Sequence, residues 1–160
     1  MIGKDAASGG GVAPDRRIRI VLADDHQVVR RGLELVLSGT PEFEVVAQVG
    51  DVSSVGIAVR EHQPDVLVLD LHMLGQSSLE AIPTLRGTYP QTQIVVLTME
   101  ASPSLVRAAR RAGALGYVLK EAVDSELSEA VRRAAVGRSY LNPRLAEQLL
   151  SAEIRERDWS

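Results

Sequence analysis

Short apolar runs alternate along this chain with longer stretches whose apolar residues recur every three or four positions. IRIVLA (18–23) is dense in β-branched residues and leucine and reads as a strand. From about His26 to Leu37, the side chains Val29, Leu33, Val36 and Leu37 fall on one side of a helix, which SGTPE interrupts. The alternation then repeats. Strands are predicted over FEVVAQV (43–49), DVLVLDL (65–71), QIVVLT (93–98) and GYVLK (116–120), and helices over about 53–62, 79–86 and 125–136. Another helix starts at Ser102-Pro103, with serine as the cap and proline at the first position. The unbroken Val/Leu run after Asp65 implies a strand buried on both faces. Five strands alternating with helices predict an α/β architecture, a (βα)5 doubly wound sheet of five parallel strands with right-handed crossovers. Asn142-Pro143 can open one extra C-terminal helix, carrying Leu145, Leu149 and Ala152 on one stripe. Residues 1–15 are rich in Gly, Ala and Ser and read as a disordered lead-in.

Composition supports one aliphatic domain. Of 160 residues, 45% are hydrophobic and only 3% aromatic, which favours an α/β core over a β-sandwich. The formal net charge of −3 gives no field for binding nucleic acid or an anionic membrane. With no cysteine, disulfides, thiolate metal sites and cysteine nucleophiles are excluded, so a metal would sit on oxygen or imidazole. The first 15 residues hold no apolar signal core, and no run approaches the roughly 20 apolar residues of a membrane span. A cytoplasmic location is the simplest expectation.

The polar residues that break this pattern sit at strand ends. Asp24 and Asp25 follow the first strand, Asp70 ends the apolar part of the third, Thr98 closes the fourth and Lys120 the fifth. In a parallel sheet these ends share one edge, where ligands bind near the switch point of strand order. Singly, each has an ordinary reading: a helix cap for Asp24 or Asp25, a solvated acid, a hydroxyl serving nearby backbone, a solvated lysine. Together, three acids, a hydroxyl and an ammonium make a constellation for Mg²⁺ and a phosphoryl group. Mg²⁺ prefers carboxylate oxygen and shares phosphate oxygens, while Lys and a hydroxyl hold the rest. A divalent cation would also explain why two adjacent carboxylates are tolerated at a covered strand end.

The segments LADDHQVVRRGL, PDVLVLDLHML, VVLTM and GALGYVLK make residues 16–138 resemble the receiver domain of two-component response regulators, in the NarL/FixJ or LuxR-type class. That resemblance implies a flavodoxin-like receiver fold and a phosphorylation-dependent switch. It implies that Asp70 accepts a phosphoryl group from the phosphohistidine of a sensor histidine kinase. Asp25 and Asp70 would bind Mg²⁺ directly, Asp24 largely through water, and the backbone carbonyl of His72 would complete the site. Thr98 and Lys120 would contact the phosphoryl group, and Tyr117 would be the aromatic that turns inward on activation. The chemistry would be self-phosphorylation and autodephosphorylation rather than turnover of an outside substrate. Residues 139–160 would be a linker helix toward a transcription-regulating domain absent from this chain, and DNA would be contacted only through that domain. A homodimer would use the helices around strands four and five, or the first and last helices.

Two positions depart from the family pattern. The fourth residue after Asp70 is Leu74 rather than proline, and the eighth is Ser78 rather than glycine, so the loop loses a fixed φ and a permissive residue, for which Gly75 can compensate. These changes make one rival plausible, a receiver-like module that binds partners without phosphorylation, against which the intact set of Asp24, Asp25, Asp70, Thr98 and Lys120 argues. A second rival, a small Mg²⁺-dependent phosphohydrolase, would need an aspartate at the position of His72. Imidazole ligation by His26 or His72 is not expected beside three hard carboxylates, and Met99 is expected to narrow the path to Asp70.

Overall fold

The computed structural model describes residues 16–159, so the expected lead-in over 1–15 lies outside the described residues. In chain order the elements are β1 (Ile18–Ala23), α1 (Gln27–Ser38), β2 (Phe43–Val49), α2 (Val52–His62), β3 (Val66–Asp70), β4 (His72–Met73) and β5 (Gln76–Ser77). There follow α3 (Ala81–Thr88), β6 (Gln93–Thr98), α4 (Pro103–Ala112), β7 (Gly116–Leu119), α5 (Val123–Ala135), β8 (Tyr140–Leu141) and α6 (Pro143–Trp159). The main sheet is parallel, in the order β2-β1-β3-β6-β7-β8.

Strand alternation sorts the interior into two layers. Ile20, Leu22, Val66, Val68, Val95, Leu97 and Val118 face α1 and α5, where Leu33, Leu37, Leu127 and Val131 complete one core. Val21, Ala23, Leu67, Leu69 and Val96 point the other way, toward Val55, Val59, Ile82, Val106 and Ala109 of α2, α3 and α4. All five residues of β3 are buried, as its unbroken apolar run requires. The α4 cap forms as expected, with Ser102 accepting from the Leu105 amide and Pro103 in the first turn. The α1 cap does not: His26 occupies the N-cap with no side-chain bond, and Asp24 and Asp25 face elsewhere.

The sheet has six strands rather than the five expected. Tyr140 and Leu141 pair in parallel with Gly116 and Tyr117, and two residues are too few to carry a readable period. Beyond them, α6 folds back onto the domain. Leu145 and Leu149 are buried in the core shared with Val106, Ala109 and Tyr117, and Arg107 pairs with Glu156 at 2.9 Å. The segment expected as a linker helix thus covers the α4 side of the sheet.

Because β1 and β3 are neighbours from which the chain winds outward in both directions, their C-terminal ends form the switch point of the sheet. Thr98 at the end of β6 and Lys120 just past β7 join the same edge.

Candidate functional site

Asp24 leaves β1 directly into the interior and is fully buried. Its Oδ1 accepts the His26 amide at 2.9 Å, an Asx-type turn that directs the carboxylate back over the sheet edge. Its Oδ2 lies 3.1 Å from the Lys120 ammonium. Asp70, the last residue of β3, is also buried. Its Oδ1 accepts the His72 amide at 3.1 Å and its Oδ2 accepts from Lys120 Nζ at 2.9 Å. Lys120 therefore stands between two buried carboxylates from neighbouring strands. Burial pushes the Asp70 carboxyl above its ordinary range; Lys120 and the His72 amide oppose this, and the nearby Asp24 charge adds to it. For Lys120, burial alone would favour the neutral amine, but its hydrogen bond to Asp70 and its attraction to the Asp70 and Asp24 carboxylates outweigh that and hold the ammonium more firmly than usual.

Asp25 is held differently. The backbone amide of Leu74 donates to its Oδ2 at 2.8 Å, and this bond is the main reason its carboxyl lies below the ordinary carboxylate range. Burial opposes that shift, while His26 and Lys120 reinforce it. Leu74 reaches Asp25 because residues 72–77 form a two-residue hairpin, with His72 opposite Ser77 and Met73 opposite Gln76. Its turn residues have φ of 51° at Leu74 and 76° at Gly75, the pair of left-handed positions that a type I′ turn needs. The other departure is built in as well. Ser78 is buried, and its hydroxyl donates to the backbone carbonyl of Asp70 at 2.7 Å. A glycine there would leave that carbonyl without this partner.

Three carboxylates against one ammonium leave an excess of negative charge in a largely covered place. Two of their oxygens, Asp24 Oδ2 and Asp25 Oδ1, are buried without any hydrogen bond of acceptable geometry. Hard oxygen donors with free lone pairs suit a divalent cation such as Mg²⁺, and the residues present fit one.

On the other side of Lys120, Thr98 is buried and its Oγ1 accepts the Glu100 amide at 3.1 Å. That leaves the hydroxyl proton free to donate. Tyr117 lies inward, only 2% exposed, and its phenol donates to the Glu100 carbonyl at 2.8 Å. Burial pushes the Tyr117 phenol up to about 12; the Thr98 hydroxyl works against this and the Glu100 charge adds to it. The backbone of one residue, Glu100, thus connects the two residues expected to act as the switch, through its N–H on one side and its carbonyl on the other. Sequence patterns did not mark Glu100, because its part is played by backbone atoms that any residue supplies. An open cleft of about 320 Å³, lined by His26, Asp70, His72, Thr98, Met99, Glu100 and Lys120, leads to Asp70. Met99 is 80% exposed, so it stands on the rim of this cleft rather than across it.

Of the seven site residues expected from the sequence, Asp24, Asp25, Asp70, His72, Thr98 and Lys120 therefore gather at one sheet edge, and Tyr117 lies within β7 with its phenol reaching that edge at Glu100. The family model for the response regulator receiver domain matches residues 20–132. The chain is 38% identical over 141 residues to the oxygen regulatory protein NreC of Staphylococcus haemolyticus (strain JCSC1435), covering 88% of this chain and 65% of that protein. It is 36% identical over 136 residues to the transcriptional regulatory protein DegU of Brevibacillus brevis, covering 85% and 58%. It therefore spans less than two thirds of the length of these curated relatives. Among solved structures, it is similar to a LuxR-family two-component response regulator from Aurantimonas sp. SI85-9A1, with a TM-score of 0.81, 31% identity, and 86% and 99% of the two chains covered.

Proposed function

The chain belongs to the response regulator receiver family, in its LuxR-type class, and from that premise we propose that it switches a two-component system by accepting a phosphoryl group on Asp70. The observation that carries this is the setting of that carboxylate, buried at the β1/β3 switch point, bonded to Lys120 and reached by an open cleft. The donor is the phosphohistidine of a sensor histidine kinase. A carboxylate oxygen of Asp70 attacks phosphorus, the P–O bond forms as the P–N bond breaks, and the donor imidazole leaves with the electron pair.

The residues divide the work by position. Asp24, Asp25, Asp70 and the backbone carbonyl of His72 would hold Mg²⁺, which when bound supplies positive charge to the phosphoryl oxygens. Lys120 holds Asp70 before transfer and follows the new phosphoryl oxygens after it. The phosphoryl group brings roughly two negative charges, and Thr98 turns its free hydroxyl proton toward them. Because Thr98 and Tyr117 both bond to the backbone of Glu100, that movement reaches the β6–β7 edge and biases two arrangements of it. α6 packs against α4, and residues 139–160 carry the change to a transcription-regulating output domain or partner, through which any DNA is contacted. A homodimer through the helices flanking β6 and β7, or through the first and last helices, is part of the same proposal, as is action in the cytoplasm. No described helix is long and apolar enough to cross a membrane.

Incubation with acetyl phosphate and Mg²⁺, read by intact mass, tests this. The expected result is a gain of one phosphoryl group that requires Mg²⁺ and is lost in Asp70→Asn while the variant stays folded. Equal labelling of the variant would refute the role of Asp70, and no labelling under any donor would favour a receiver-like module that acts without phosphorylation.

A further inference from the structure

We propose that His26 is an additional cation ligand, so that the site prefers divalent transition cations of the Mn²⁺ and Co²⁺ class to Mg²⁺. This rests on the reading of the acid edge as a cation site and goes beyond it by naming a ligand and a selectivity. The sequence argued against imidazole here, but the structure places His26 Nδ1 3.0 Å from Asp25 Oδ1 and 3.6 Å from Asp24 Oδ1. Atoms bonded to one octahedral cation at about 2.1 Å stand roughly 3.0 Å apart along an edge, so His26 Nδ1 and Asp25 Oδ1 already have the spacing of a ligand edge, with Asp24 Oδ1 somewhat farther out.

Two observations separate ligation from ordinary roles for the ring. Asp25 Oδ1 is buried and, although Nδ1 is 3.0 Å away, no hydrogen bond of acceptable geometry joins them. Asp24 Oδ2 is likewise buried without a hydrogen bond, although it faces the Lys120 ammonium at 3.1 Å while Oδ1 is the oxygen nearer the ring. A covered carboxylate oxygen left without a hydrogen-bond donor is what a cation satisfies. Nor does the ring cap α1, since His26 makes no side-chain cap bond. Its backbone amide, bonded to Asp24 Oδ1 at 2.9 Å, fixes where the side chain leaves the main chain. The ring itself is 67% exposed and can adjust to an arriving ion.

The selectivity follows from ligand chemistry. Mg²⁺ gains little from imidazole nitrogen, and carboxylate, carbonyl and water suit it best. The later divalent ions gain from a nitrogen ligand, in the order Mn²⁺ < Co²⁺. Removing the ring should thus weaken the transition ions and leave Mg²⁺ nearly as before.

Titrations of the whole chain with MgCl2, MnCl2 and CoCl2, in wild type, His26→Ala and His26→Asn, test this alongside pulsed EPR of bound Mn²⁺ for coupling to a ring nitrogen. The expected result is tighter binding of Mn²⁺ and Co²⁺ than of Mg²⁺ by the wild type, with nitrogen coupling. Both variants should lose about tenfold or more in affinity for Mn²⁺ and Co²⁺ and less than about twofold for Mg²⁺. Unchanged Mn²⁺ affinity in the variants, equal losses for all three ions, or Mn²⁺ bound without nitrogen coupling would each overturn the proposal while leaving the cation site standing. Failure of the wild type to bind any of the ions would overturn both.

Discussion

Replacing Tyr117 with phenylalanine removes one hydroxyl from the centre of the switch and little else, because the ring is buried and its shape is kept. The phenol donates to the Glu100 carbonyl at 2.8 Å. Losing that bond, with the carbonyl left partly unpaired, should cost about 1 to 2 kcal/mol near neutral pH. The cost should reverse in alkali. In the folded protein the phenol ionises only at about 12, whereas in the unfolded chain it ionises near 10. The wild type therefore keeps its full stability below about pH 10 and loses it as pH rises toward the folded value, because only the unfolded chain releases the proton in that window. At about pH 11 the loss is roughly 1.4 kcal/mol, one unit's worth. Tyr117→Phe escapes this loss, and the shifts of the other tyrosines cancel in the comparison. Urea unfolding of both proteins across this range should thus show the wild type ahead near neutrality and the two curves meeting near pH 11. A difference that stays constant with pH would refute the argument, since it would mean that the phenol titrates as freely in the folded protein as in the unfolded chain.

Thr98→Ala should still take up a phosphoryl group on Asp70, yet show a reduced response around Tyr117. A hydroxyl bond to a charged group is worth about 1.5 to 3 kcal/mol, against the roughly 5.5 kcal/mol needed to carry a two-state switch from one side to the other. Amide shifts of residues 98–120, with and without a phosphoryl mimic, measure this, and the full wild-type pattern in the variant would count against the coupling. Leu74→Gly should be neutral or stabilising by up to about 1 kcal/mol, since relief of left-handed strain is set against the greater freedom of glycine when unfolded. Leu74→Pro can neither adopt φ of 51° nor donate to Asp25. It should lower both denaturant stability and Mg²⁺ affinity, and a variant unchanged in both would show that the hairpin does not position Asp25. The chain itself should not bind DNA specifically, given its net charge of −3. An anisotropy titration at physiological salt that gave a sequence-dependent Kd near 10⁻⁸ M or tighter, the usual specific range of about 10⁻⁸ to 10⁻¹¹ M, would reveal a binding element within these residues.

The sheet and the site's charged groups were legible from the sequence because both follow local rules. Alternating periods announce strands and helices, and parallel strands must end on one edge, so Asp24, Asp25, Asp70, Thr98 and Lys120 could be brought together from their places at strand ends alone. What tertiary structure decided lies in contacts that no local period encodes. Leu74 reads as a missing proline until the 72–77 hairpin turns its amide onto Asp25. Ser78 reads as a lost glycine until burial sets its hydroxyl on the Asp70 carbonyl. The backbone N–H and carbonyl of Glu100 join Thr98 to Tyr117 through atoms common to every residue, so no side-chain pattern could reveal the link. In the same way, Tyr140 and Leu141 form a sixth strand only because β7 leaves an edge to pair with, and α6 packs on α4 only because Leu145 and Leu149 find an apolar surface there. The sequence by itself determined which groups meet at the edge, since their positions follow from strand direction; their orientations depend on hydrogen bonds between segments far apart in the chain, and those exist only once the chain has folded.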